Sequence, residues 1–142
     1  MSLPQIVVDT NVLVAALRSR RGAAFKLLTL MDSGLFEVNV SVPLVLEYED
    51  VAKRLMGDIA LTARDIDDII NYICAVAHRR AIFYLWRPFL RDPKDDLVLE
   101  LAVTAECEFI VTYNTHDYAG VEQFGIRAIT AREFLQEIGE LP

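Results

Sequence analysis

Short apolar runs alternate along this chain with longer stretches in which apolar positions recur every three or four residues. The first kind of pattern suits buried strands and the second amphipathic helices. Ile6-Val7-Val8 reads as a short buried strand, and Phe36 to Val40 alternates as a second. Phe109-Ile110-Val111 and Arg127 to Ile129 read as a third and a fourth, and Ala81 to Trp86 as a short strand or an extended link. Between them the periodicity predicts a helix over Val12 to Leu17, capped by Asn11, and another over Ala23 to Met31, stopping near Gly34. Ser41 and Pro43 open a helix to about Met56, with proline at an early position where its missing N–H is harmless. Thr62 caps a helix to about His78, and Asp92-Pro93 caps one to about Glu106. Thr130 caps the last helix, with Glu133 at the spacing of a capping box. Strands alternating with helices predict an α/β domain with a mostly parallel sheet of four to five strands. No repeat, low-complexity tract or linker interrupts the pattern, so a single domain over residues 1–142 is expected.

Composition narrows the class. The chain is 54% hydrophobic and 25% charged, enough apolar residues for a core and too many for a disordered tail. No apolar run approaches the roughly 20 residues that span a bilayer, and Met1 to Gln5 is too short and uncharged for a signal peptide. The expectation is a cytoplasmic protein with no membrane association. Cys74 and Cys107 show no metal-ligand spacing, nor do His78 and His116, so nothing points to zinc. The net charge of −7 argues against a protein that simply adheres to nucleic acid. Carboxylates gathered to hold cations would account for the same charge, so their placement decides.

In parallel α/β sheets, ligands bind beyond the carboxyl ends of the strands. Asp9 directly follows the first strand, either as a helix-capping acid or as a functional carboxylate. On the helix from Ser41, the buried face is predicted to hold Leu44, Tyr48, Val51 and Leu55. At about 100° per residue, Glu47 lies roughly 60° from the centre of that face, while Glu49 and Asp50 lie well round towards solvent. An acid at the edge of a core calls for a partner, an arginine or a cation. Asp95 projects towards the buried stripe Val98, Leu101, Ala102 and Ala105, whereas Asp96 is expected with Glu100 and Thr104 on an opposite, polar face. Asp92 and Asp96 then serve the helix end. After the third strand, Thr112, Asn114 and Asp117 lie at the same sheet edge, in a site or in an ordinary Asx turn. Acids converging without histidine or cysteine form an all-oxygen ligand set, which hard cations such as Mg²⁺ and Mn²⁺ prefer.

The segment Val8-Asp9-Thr10-Asn11-Val12-Leu13 resembles the opening motif of PIN domains. The order of the later motifs also resembles that family: an acid on the helix after the second strand, an Asp at the start of a later helix, and a Val-Thr-x-Asn strand end at Val111 to Asn114. The stretch from Arg91 to Ala102, with Val111-Thr112 after it, looks most like the PIN proteins identified as toxin components of toxin–antitoxin pairs. The resemblance covers nearly the whole chain. It implies a Rossmann-like three-layer α/β/α sandwich and a metal-dependent endoribonuclease that uses Mg²⁺ or Mn²⁺. Asp9, Glu47 and Asp95 match the first three family acids and would be both catalytic and metal-binding. The fourth position, often Asp, is Asn114, which brings no charge; Asp117 is a further metal candidate that would compensate. Thr10 and Thr112 would orient acids or waters around the ligands, with Asn114 beside them, and Asn11 would hold the turn rather than the metal. The product would carry a 5′-phosphate.

An acidic nuclease must still attract its substrate. Arg18, Arg20 and Arg21 follow the first helix, and Arg87, Arg91 and Lys94 precede Asp95; these are candidates to contact RNA phosphates. Single-stranded RNA is the expected substrate, because an unpaired strand enters a narrow cleft. The family context adds a cognate antitoxin as partner and a homodimer. Ile66, Ile69, Ile70, Tyr72 and Ile73 on the helix from Asp65 to His78 are either a dimer seam or ordinary core. Two rival readings stand beside the nuclease. One is a catalytically inactive PIN-fold module that binds RNA or protein, favoured by Asn114. The other is a phosphoryl-accepting receiver domain, disfavoured because Asp9 stands without a paired acid and no lysine follows Lys94.

Overall fold

The computed structural model describes residues 2–82 and 89–142. Five strands form one parallel sheet: β1 (Gln5–Val8), β2 (Glu37–Val40), β3 (His78–Arg79), β4 (Phe109–Val111) and β5 (Arg127–Ile129), in the order β3-β2-β1-β4-β5. Six helices flank it: α1 (Thr10–Arg18), α2 (Ala23–Thr29), α3 (Val42–Arg54), α4 (Ala63–Val76), α5 (Pro93–Thr104) and α6 (Ala131–Glu137). This is the expected α/β architecture. The central strands carry Ile6, Val7, Val8, Val38, Val40, Ile110 and Val111, all buried, as strands covered on both faces should be. None of the helices among the described residues is long and apolar enough to cross a membrane.

The chain runs outward from β1 to β2 and β3, then returns to the other side of β1 for β4 and β5. The direction of progression therefore reverses between β1 and β4, which opens a crevice at their carboxyl ends. The register places Val8 beside Val111 and Val111 beside Ile129. The next residues, Asp9, Thr112 and Thr130, thus stand in one row along the sheet edge, and the Asp9 amide still donates to the Val111 carbonyl at 2.9 Å.

Most capping expectations hold. Ser41, Thr62, Asp92 and Thr130 each cap the predicted helix, and Thr62–Asp65 and Thr130–Glu133 both close capping boxes. Three expectations need correction. Asp9, not Asn11, caps α1, which begins two residues earlier than the apolar pattern suggests; Thr10 and Asn11 fold into its first turn. The helix expected to reach His78 stops at Val76, because Ala77 is extended and His78-Arg79 joins the sheet as β3. Of the strand or link expected over Ala81 to Trp86, residues 83–86 lie outside the described residues, as does Arg87. Asp96 and Glu100 are buried, not on a polar face. Helix α5 packs against β1, β2, β4 and α3, so it is enclosed nearly all round and its two polar positions are drawn inside. Asp96 is satisfied there by the Phe89 and Leu90 amides, which donate to its Oδ1 at 3.2 and 2.8 Å.

On α3, Leu44 and Tyr48 are buried as expected, with Ala52 completing the stripe. Val51 and Leu55 are only half-buried. Glu49 and Asp50 form the solvated face, paired with Lys53 and Arg54 at 3.2 and 2.8 Å. On α4, Ile66, Ile70 and Ile73 are core residues, and Ile69 and Tyr72 pack half-buried against that core. Three of the five are therefore ordinary core, and Ile69 and Tyr72 keep a partly exposed edge.

Candidate active site

The crevice at the carboxyl ends of β1 and β4 is where the candidate acids meet. Asp9 reaches it because β1 ends there and α1 begins there. Its Oδ1 accepts the Thr10 amide at 2.8 Å, and its Oδ2 accepts the Thr112 and Tyr118 hydroxyls, both at 2.9 Å. Capping and candidate chemistry thus fall on one carboxylate, and the two readings of Asp9 are compatible. Glu47 comes from α3, where Oε2 accepts the Thr10 hydroxyl at 2.6 Å. The neighbouring Tyr48 is buried and donates its hydroxyl to the Val8 carbonyl, fixing α3 against the end of β1. Asp95 comes from the first turn of α5, with Oδ1 at 3.3 Å from the Tyr118 hydroxyl.

Thr112 is fully buried and fully used. Its hydroxyl donates to Asp9 and accepts from the Asn11 side-chain amide at 3.2 Å and the Asn114 backbone amide at 3.1 Å. A hydroxyl has one hydrogen and two lone pairs to offer, and all are engaged. Asn11 in turn accepts the Tyr113 amide at 3.2 Å, so it ties the start of α1 to the turn after β4.

Asp9, Thr10, Asn11, Glu47 and Asp95 all line one cleft of about 620 Å³. The cleft continues between α1 and α3, walled by Val14 and Ala15 on one side and Val51 and Leu55 on the other, with Arg18 at the end of α1. From Thr10 to Arg18 the helix rises about 12 Å, so the cleft leads from an acidic head past apolar walls to a cation. The two basic side chains lining it are Arg18 and Lys94. Arg20 lies in an adjoining hollow beside Asp58 to Leu61, and Arg21 and Arg91 are exposed outside the cleft lining. Asn114 and Asp117 are exposed; the Asp117 carboxylate lies 3.3 Å from the His116 ring and close enough to Asp95 to act on it by charge.

Burial and mutual repulsion set the electrostatics. Burial raises the Asp9 carboxyl above its ordinary value, and Glu47 adds to the rise, against the lowering effect of its three donors. Burial, then the charges of Asp9 and Asp92, push Asp95 up to about 6. Burial and the charges of Asp9 and Asp95 hold the Tyr118 hydroxyl far above its ordinary range, so it remains a donor. Repulsion of this kind is what an added cation relieves.

In this side-chain arrangement no three acids among the described residues enclose a common ion. Asp9 and Asp95 share the Tyr118 hydroxyl, and Glu47 is held by Thr10. The donor set nevertheless fits a hard divalent cation, since the titratable groups lining the acidic head are carboxylates, with no histidine or cysteine. Tyr118 is the residue that the sequence reading missed. It lies one position beyond the Val111 to Asp117 motif, and the available signal was a tyrosine beside a sheet edge, whose hydroxyl needs a partner once buried.

A family model described as "PIN domain" matches residues 5–116. A search of curated proteins finds no match. Among solved structures, the fold is similar to a chain in the crystal structure of VapBC2 from Rickettsia felis bound to a DNA fragment from their promoter. The TM-score is 0.61 at 12% sequence identity, with 87% of this chain and 96% of that chain covered.

Proposed function

The chain belongs to the PIN-domain family, and from that premise we propose that it is a Mg²⁺- or Mn²⁺-dependent endoribonuclease acting on single-stranded RNA, the toxin of a toxin–antitoxin pair. PIN domains are generally nucleases and usually depend on divalent metal. The observation that carries the reading is that Asp9, Glu47 and Asp95, from β1, α3 and α5, line one cleft at the switch crevice of the sheet. The resemblance of the Arg91 to Ala102 stretch to toxin components, and the fold shared with a chain of VapBC2, support the antitoxin partnership.

Asp9, Glu47 and Asp95 would hold the cation, with Asp117 as a further candidate ligand. A divalent ion there would activate a water and stabilise the charge that develops on the phosphate oxygens. The protein's own part is placement. Thr10 holds both neighbours at once, its amide on Asp9 and its hydroxyl on Glu47. Thr112, braced by Asn11 and the Asn114 amide, fixes the other face of Asp9. Arg18 and Lys94 offer positive charge to phosphates on either side of the scissile bond, offsetting an otherwise repulsive acidic head. Arg20, Arg21 and Arg91 would extend that path outside the cleft. The leaving oxygen is the 3′ oxygen, which leaves a 5′-phosphate on the product. The titratable side chains of the acidic head are spoken for by hydrogen bonds or the cation, so no separate general base is assigned.

The test is cleavage of end-labelled single-stranded RNA by purified protein with Mg²⁺, with Mn²⁺ and with EDTA, beside Asp9→Asn. Cleavage should need metal and vanish in the variant. Cleavage that persists in EDTA or in Asp9→Asn would refute the assignment. Asn114 in place of a fourth acid favours a second reading, an inactive module that binds RNA or protein through the same cleft. RNA binding without cleavage under any metal would select it.

A further inference from the structure

We propose that Tyr118 is a positioning residue of the metal site, and that its hydroxyl sets the spacing between Asp9 and Asp95. The inference rests on the nuclease reading and assigns a role to a residue that the acid motifs do not include. The ring is buried, at 1% exposure, and sits in a short 3₁₀ turn, Thr115–Tyr118, that follows β4. Its hydroxyl is 2.9 Å from Asp9 Oδ2 and 3.3 Å from Asp95 Oδ1. It is therefore the described group that touches both carboxylates, which come from elements 86 residues apart in sequence.

Geometry gives the contact a direction. A phenol has one hydrogen, and the distances direct it mainly to Asp9, with Asp95 Oδ1 as the more distant acceptor of the same hydrogen. With Thr112 donating to the same oxygen, both lone pairs of Asp9 Oδ2 are occupied, so the one lone pair that Oδ1 keeps beside the Thr10 amide and the Asp95 carboxylate are what can face a cation. The rest of the turn keeps the ring in place. Gly120, two residues on, has φ +95°, and a Cβ there would stand 3.3 Å from the Phe89 ring. A left-handed glycine thus lets the chain turn away tightly beneath Phe89 while Tyr118 stays inside. Groups that orient metal ligands typically contribute tenfold to a hundredfold in metal affinity.

The experiment is calorimetric titration of the full chain with Mn²⁺ alone, for wild type, Tyr118→Phe and Asp9→Asn, with thermal melting of each. Tyr118→Phe keeps the buried ring and removes only the hydroxyl. The expected result is Mn²⁺ binding weakened by about tenfold with the metal-free melt little changed, and a matching rise in the Mn²⁺ concentration needed for half-maximal RNA cleavage. Mn²⁺ binding equal to or tighter than wild type would overturn the role of Tyr118 and leave the nuclease reading standing. Should Tyr118→Phe melt early, its Mn²⁺ titration is run well below its melting temperature, where the chain is folded, and the affinity is judged against the same two outcomes. A wild type that binds no Mn²⁺ while Asp9→Asn behaves identically would overturn both this role and the metal site beneath it.

Discussion

Replacing Asp95 by Asn should make the metal-free protein more stable, and only above acid pH. In the folded chain the Asp95 carboxyl is raised from its ordinary 3.8 to about 6, first by burial and then by the charges of Asp9 and Asp92. A raised acid binds more protons in the folded than in the unfolded state between those two values. Stability therefore falls as pH rises through that window and stays reduced above it. For a fully buried group such a displacement corresponds to about 3 kcal/mol. Asp95 is partly exposed, and solvent screening cuts this to about 1 kcal/mol. Asp95→Asn, which keeps an oxygen to face Tyr118, should then melt about 3 °C above wild type in EDTA at about pH 7.5. The gap should close by about pH 4. The assay is thermal unfolding of both proteins in EDTA across that range, and the quantity that matters is their difference, in which the carboxylates remote from Asp95 cancel. With Mn²⁺ at about a hundred times its Kd the order should invert, because wild type gains about 2.7 kcal/mol and the variant little. A difference that does not vary with pH, or a variant less stable than wild type in EDTA at about pH 7.5, would refute the claim that burial and neighbouring charge disfavour the ionised Asp95 carboxyl in the fold.

Two further outcomes test the scaffold rather than the site. Asn39 is fully buried on β2, where its amide donates to Gln5 and the Ile6 carbonyl and its oxygen accepts from Arg80. Asn39→Ala should lower stability by about 1–3 kcal/mol in denaturant titration, because it removes the hydrogen bonds of a fully buried amide, while the Mn²⁺ affinity of the folded fraction stays as in wild type. Gly120→Ala should lower stability by about 1–3 kcal/mol, because a left-handed residue gains a Cβ against Phe89; a melt unchanged from wild type would contradict the strain argued for that turn.

What was legible in the sequence was whatever depends on neighbours along the chain. Strand-end acids, capping residues and the alternation of strand and helix are local patterns, and Ser41, Thr62, Asp92 and Thr130 stand where such patterns place a helix start. Asp9 and Glu47 could be singled out because one follows a buried strand and the other flanks the apolar stripe of a helix. What was not legible depends on enclosure and on distant partners. Periodicity assumes that a helix has one wet side. Helix α5 keeps little of one: of the three residues expected there, Thr104 is exposed while Asp96 and Glu100 are buried. Tyr118 acquires its meaning from Asp9, 109 positions away, and from Asp95, 23 away. No local pattern carries that information. The two-residue strand β3 is likewise defined by its pairing with β2 and not by its own sequence.

The bond from Tyr48 to the Val8 carbonyl bears on how this chain tolerates insertions and deletions. Val8 and Asp9 are adjacent at the end of β1, as are Glu47 and Tyr48 on α3, so one hydrogen bond locks the register of the two acids. One residue added between Ser41 and Glu47 would turn Glu47 by about 100° about the helix axis and separate Tyr48 from its carbonyl. One residue added after Arg54, where α3 has already ended, leaves both in place. Length variation across descendants of this sequence should accordingly gather beyond the far end of α3 and be absent from its first two turns.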